Sequence, residues 1–319
     1  MPILYSIVKT SLYREESMKV NFLNIFVVII SFMIFSQCKK SVDVKSVVSS
    51  TKQLYKQNKQ KFFNVFSEIS KKYPQFSKLK TNVTHIYFSD FDHTLANTET
   101  RIPVKRANGK DDSTDSKCMV INKGDIPDFG IFKKDALFKT KPIEVALARL
   151  KQAKKVKTNF IMVLTARSQD HTFTSAHKYL KNYNLNVDYV IAVNSKLLQK
   201  DIWKNLKFPT GMSKLPKGMK KPLLMRAFVE YAQMKGVKNL KKITYMEDTD
   251  KYIGSYMTYM PKDLGQVQAR VFDYVRGGSP NQRSYTELEL GTSRDGMFYT
   301  PIGKIKNPTW GYQSNDCKK

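Results

Sequence analysis

Two aspartates one residue apart close an apolar run, Ile86-Tyr87-Phe88-Ser89-Asp90-Phe91-Asp92, and His93 and Thr94 follow. A β-branched and aromatic run ending in carboxylates reads as a buried strand that delivers acids at its carboxyl end, where open α/β sheets build their sites. Side chains at i and i+2 of an extended segment share a face. Two anions so close repel and raise a pKa unless a cation offsets them, which points to a shared proton or a divalent metal, with magnesium favoured. Two further apolar runs end in polar residues: Asn159-Phe160-Ile161-Met162-Val163-Leu164-Thr165, followed by Ala166 and Arg167, and Ile243-Thr244-Tyr245-Met246, followed by Glu247 and Asp248. Between them, Lys220-Lys221-Pro222 opens an amphipathic stretch. Proline is tolerated in the first helical turn, so these lysines sit at a helix start.

In that order, over roughly residues 83–260, Asp90-x-Asp92-x-Thr94, Thr165, the lysine pair and the acids at 247–248 resemble the four motifs of the haloacid dehalogenase (HAD)-like hydrolase superfamily, most of whose members are phosphohydrolases. The resemblance implies that Asp90 is a nucleophile forming an aspartyl phosphate. Asp92 would be the general acid and base, a residue that argues for hydrolysis. Thr165 and Lys221, with Lys220 as the alternative, would bind phosphoryl oxygens, helped by amides at the start of the next helix. The implied cofactor is Mg2+, held by Asp90, the backbone carbonyl of Asp92, and Asp248. Glu247 departs from the adjacent aspartates common in this family, and is expected behind the metal or in contact with it through water. Arg167 reads as a contact to a further substrate phosphate or as a surface residue.

Several residues have plainer readings. Asp250 is expected to cap a helix. His93, in an extended segment, would point away from its aspartate neighbours and tune the loop. His171 and His177, six apart in a chain with four histidines and three cysteines, suggest no transition-metal site.

The elements that must position these residues alternate. Segments 83–90, 159–165, 186–193 and 243–247 read as strands, and 142–155, 170–183 and 222–235 as intervening helices. The expected fold class is therefore α/β, a Rossmann-like parallel sheet flanked by helices, HAD-like. Residues 96–140 and 197–219 are the available insertions, short ones in place of a full cap domain, leaving an open site. The first, rich in Lys, Asp and Gly around Arg106–Asp115, is expected to form a mobile flap. The expected domains are a leader at 1–38, a helical stalk at 39–80 packed against the catalytic domain, that catalytic domain at 81–263, and an extension at 264–319 that reads as loops and short strands and to which the residues assign no role. In the stalk, Val47, Leu54, Phe62, Phe63, Phe66 and Ile69 mark the apolar face of a long helix ending near Pro74.

From Met18 a basic residue precedes an apolar core that ends at Cys38, of signal-peptide length and short for a membrane span of about 20 residues. It resembles a bacterial lipoprotein signal, although Gln37 and Phe35 depart from the usual pattern. The expectation is export to the cell envelope or periplasm, with anchoring through a lipidated Cys38 or an uncleaved amino-terminal helix. Cys118 and Cys317 could then pair in an oxidising compartment. The net charge of +28 suits an anionic partner. Yet lysines outnumber arginines 45 to 10 and spread along the whole chain, without the arginine and aromatic clusters of nucleic-acid readers. Two function classes remain: an exported Mg-dependent phosphatase acting on a phosphorylated small molecule or a nucleic-acid end, or a non-catalytic surface protein binding anionic polymers or lipids through its basic face. No protein partner is inferable.

Overall fold

The computed structural model describes residues 44–97, 101–115, 121–128, 140–216, 218–260, 267–274, 285–288, 298–300 and 303–305. Strand β1 (His85–Ser89) lies at the middle of the main sheet, with Ile86 and Phe88 wholly buried. A strand covered on both faces is expected to be apolar throughout rather than alternating. This holds for its neighbour in the sheet, Asn159–Thr165, which is buried from Phe160 onward.

The first 29 described residues form helix α1 (Val44–Lys72). After β1 come the short β2 (Ala96–Asn97), then β3 (Arg101–Lys105), β4 (Asp111–Asp115), β5 (Ile126–Pro127) and β6 (Lys141–Pro142). The remaining elements are α2 (Glu144–Lys154), β7 (Asn159–Thr165), α3 (Thr172–Asn182), β8 (Tyr189–Ala192), α4 (Lys196–Asp201), α5 (Lys220–Met234), β9 (Lys242–Glu247), α6 (Asp250–Tyr259), β10 (Gln268–Tyr274), β11 (Tyr285–Leu288), β12 (Phe298–Thr300) and β13 (Gly303–Ile305). The last two strands pair with each other.

The main sheet has the order β11-β10-β9-β1-β7-β8. All its pairings are parallel except that of β11 with β10. The protein is thus α/β, with a parallel sheet flanked by helices. From β1 the chain proceeds to β7 and β8 on one side, then returns to β9 on the other. Such a reversal opens a crevice at the carboxyl ends of the central strands.

α1, expected as a stalk packed against the catalytic domain, forms a wall of the core. Leu54, Phe62, Phe66 and Ile69 are wholly buried, and Phe66 meets Phe228 of α5 edge-on at 5.3 Å. Each such side chain contributes about 1.5–3 kcal/mol by leaving water. Asn58 also exchanges two hydrogen bonds with the backbone of Lys207, both 2.9 Å, fastening the segment after α4. Helix α5 stops where Gly236 takes φ +97°, a conformation costly for any side chain.

Two segments are more ordered than expected. The insertion at 96–140 contains an antiparallel sheet in the order β4-β3-β5, turned at Gly109 (φ +81°) and tied by Arg106 to Asp112 and Asp125. Beyond residue 263, β10 and β11 extend the main sheet. β10 reads Gln-Ala-Arg-Val-Phe-Asp-Tyr, mixed in polarity and unlike the apolar runs of the central strands.

Candidate functional site

The site grows from the end of β1. The Asp90 amide donates to the Met246 carbonyl at 2.8 Å, carrying the parallel ladder one step past the strand and fixing the carboxylate at the sheet's carboxyl edge. The chain then curls. The amides of Leu95 and Ala96 both donate to the Phe91 carbonyl, and the His93 amide donates to Ala96 at 2.7 Å. His93 holds φ +63°, so the segment is a tight turn rather than the extended run expected from the sequence. The turn separates the two aspartates: Asp90 faces inward, while Asp92 keeps a quarter of its side chain exposed.

Each aspartate has its own cation. The Lys221 ammonium, from the first turn of α5, donates to Asp90 Oδ1 at 2.7 Å and to Glu247 Oε2 at 2.6 Å. It is 1 % exposed and lies 4.3 Å from the Tyr252 ring centroid. Lys220 turns elsewhere, donating to Asn194 Oδ1 at 2.7 Å. The Tyr245 hydroxyl donates to the same Glu247 oxygen as Lys221. Tyr245 and Glu247 are at i and i+2 of β9 and so share a face. Asp248, just past the strand, accepts from Thr94 at 3.3 Å and from Thr249 at 3.4 Å. Asp250 is the first residue of α6.

Asp92 meets the end of β7 instead. The Thr165 hydroxyl donates to it at 3.2 Å, and the Arg167 guanidinium binds it in bidentate fashion at 3.0 and 2.7 Å. Arg167 is thus not a surface residue; it is buried, with Asp92 as its partner. The helix after β7 begins only at Thr172, so residues 166–171 intervene between Thr165 and the amides of that helix.

The electrostatics follow from burial. Desolvation pushes the Asp90 carboxyl well above its ordinary value, and repulsion from Glu247 adds to this while Lys221 opposes it. Burial alone would lower the Lys221 ammonium, but Asp90 and Glu247 outweigh it and hold the group above its ordinary value. Burial and the Glu247 charge likewise raise the Tyr245 hydroxyl.

Oxygens of Asp90, Glu247 and Asp248 lie within 4.8 Å of one another, a geometry able to hold a cation. These are hard donors, the type Mg2+ selects. Among the ion pairs here one ammonium serves two of the three carboxylates, so the trio keeps an excess of negative charge that a divalent cation would offset. The residues present therefore fit magnesium. Glu247 joins the cluster by position, yet its oxygens are taken by Lys221, Tyr245 and the Asp248 amide.

His171 is exposed beyond the end of β7, and His177 is buried on α3, 5.8 Å from the Phe76 ring. Sequence reasoning missed Tyr245, Tyr252 and the Asp92–Arg167 pair. For Tyr245 the signal was present, as a polar-tipped aromatic two residues before Glu247. The leader at 1–38, with Cys38, and the cysteines Cys118 and Cys317 fall outside the described residues. Among the described residues no helix is long and apolar enough to cross a membrane. Comparisons with protein-family models, curated proteins and solved structures give no match.

Proposed function

We propose that the protein is a magnesium-dependent phosphomonoester hydrolase of the HAD-like type, working through an aspartyl phosphate. The observation that carries this is the meeting of Asp90 with Lys221, 131 residues away in sequence, beside Asp248 at the carboxyl end of the central strand. A buried nucleophile, a lysine and an acid cluster converge where open α/β sheets place their ligands.

Asp90 and Asp248, with the Asp92 carbonyl, would hold the metal, and Glu247 would stand behind them as the anchor of Lys221. Bound magnesium would supply charge neutralisation, letting an anionic substrate approach an anionic nucleophile. The remaining work belongs to the chain. An Asp90 oxygen bonds to phosphorus as the bond to the leaving oxygen breaks, and Asp92 gives that oxygen a proton. Asp92 then takes a proton from water, whose oxygen attacks phosphorus, breaks the bond to Asp90 and releases phosphate. Lys221 and Thr165 offset charge on the equatorial oxygens. The bidentate Arg167 fixes the plane of the Asp92 carboxylate.

The test is phosphate release from nucleotides, sugar phosphates and phosphorylated DNA ends, with and without magnesium, beside an Asp90→Asn variant. We expect metal-dependent turnover that the substitution abolishes. Turnover that survives Asp90→Asn would contradict the assignment.

A further inference from the structure

An open cleft of about 770 Å³ lies between the loop after β7 and the segment after β8, lined by Ser168, Asp170, Asn194, Lys196, Lys200 and Lys204 among others. It adjoins the site directly. The Asn194 side chain donates to the Ala166 carbonyl at 2.7 Å, its amide donates to the Arg167 carbonyl at 3.2 Å, and its Oδ1 accepts from Lys220. The inner end of the cleft thus begins at the peptide that carries Thr165 and Arg167.

The charge of the cleft is one-sided. Lys196, Lys200 and Lys204 recur every fourth residue along α4 and the following 3-10 turn, and all three are exposed. Among the described residues none of them forms an ion pair, whereas Lys59 and Lys154 elsewhere meet Glu230 and Asp188. Asp170 is the one acid in the lining, and its Oδ1 is occupied by the Lys196 amide at 2.9 Å. The volume is that of a small-molecule site, typically about 300–1,000 Å³.

We infer that this cleft seats a second phosphate of the substrate, so that the preferred substrates are phosphomonoesters carrying another phosphate group on the same small molecule. The inference rests on the phosphatase assignment above. The scissile phosphate sits at Asp90, and Lys196, Lys200 and Lys204 hold the other as mobile point charges, without the planar fork of arginine. Such contacts select by charge more than by shape and weaken as salt rises.

The test uses two matched pairs, a nucleoside 5′-monophosphate with its 3′,5′-bisphosphate, and fructose 6-phosphate with fructose 1,6-bisphosphate. The full chain is compared with the triple variant Lys196→Gln, Lys200→Gln, Lys204→Gln. For at least one pair we expect KM about tenfold lower for the bisphosphate, an advantage lost in the variant while monophosphate kinetics stay unchanged, since several exposed ionic contacts combine to that scale. Equal KM within both pairs, or a variant that weakens both members alike, would overturn the inference. Should no ester be hydrolysed, the phosphatase assignment fails first, and calorimetric titration with the same bisphosphates still reads the cleft. Binding lost in the triple variant supports it, and binding unchanged by the substitutions or absent throughout refutes it. A 5′-phosphorylated oligonucleotide in the same assay separates a nucleic-acid end from a small molecule, because preference for the oligonucleotide over both bisphosphates would contradict the small-molecule assignment.

Discussion

The two halves of the site treat charge differently. On the inner side, Asp90, Lys221, Glu247 and Tyr245 are sealed from water and tied to one another by short hydrogen bonds. On the outer side, Asp92 stays partly open to solvent and is clasped by Arg167 and Thr165. A buried charge needs a fixed counter-charge, so the inner half suits an atom that must stay in place. Under the proposed mechanism Asp92 exchanges protons with a leaving oxygen and with water, and its partial exposure suits that role.

Removing the inner cation is the sharpest way to break the contrast. Lys221→Met leaves two buried carboxylates uncompensated, and is expected to cost about 3–5 kcal/mol of stability in urea unfolding as well as abolishing turnover. Adding Glu247→Gln to that variant should recover part of the loss. If the single variant is as stable as the parent, the inner half is not the electrostatic unit described.

The outer half should respond the opposite way. Asp92→Asn is expected to slow phosphate release by about 10²–10⁴-fold. Its unfolding free energy should fall by less than that of Lys221→Met, about 1–3 kcal/mol, because Arg167 is buried but keeps an amide oxygen as partner and position 92 is a quarter exposed. A large stability loss would mean that Asp92 is structural.

Tyr245→Phe tests one bond of the inner network. Deleting a hydroxyl that donates to a buried carboxylate should cost about 1–3 kcal/mol with no new cavity. No change in unfolding would show that Glu247 depends on Lys221 alone.

The smallest effect is expected far from both halves. Burial lowers the His177 pKa below its ordinary 6.5, so the unfolded chain takes up a proton that the fold resists. This contribution is complete above that value and is lost as pH falls through it toward the lower folded pKa. Stability should therefore decline between about pH 7.5 and pH 5, a range set by the ordinary titration of histidine, and His177→Gln should flatten the decline. An unchanged pH profile in that variant would assign the acid sensitivity to other groups.

The same contrast explains what was legible in the sequence. β7 and β9 are buried on both faces beyond their first residue, and β1 is half-buried on one face at His85 and Tyr87, so each appears as a mainly apolar run whose end marks where polar chemistry begins. The lysine pair was legible as a helix start because Pro222 follows it, but which of Lys220 and Lys221 turns to Asp90 was not. β10 and β11 were legible only as short strands among loops, because runs of mixed polarity do not announce that they join the main sheet. The insertion hairpin was read as a flap because Gly109 and its charged neighbours signal a turn while hiding the pairing of β3 with β4. The Asp92–Arg167 pair lies beyond local reading, since its members are 75 residues apart. The extended geometry assumed for 90–94 failed at His93, whose positive φ no local pattern announces.

The most direct measurement of the central claim is chemical capture of the covalent intermediate. A phosphomonoester that the chain turns over, labelled in its phosphate, is mixed with magnesium and the Asp92→Asn variant, quenched in acid and digested for mass spectrometry. Phosphate is expected on the peptide containing Asp90, in greater amount than in the parent protein when the ester has a leaving group that needs no proton, because the first step then bypasses Asp92 and the second, base-assisted step is impaired. Turnover without label on Asp90, or label on another residue, would contradict the account.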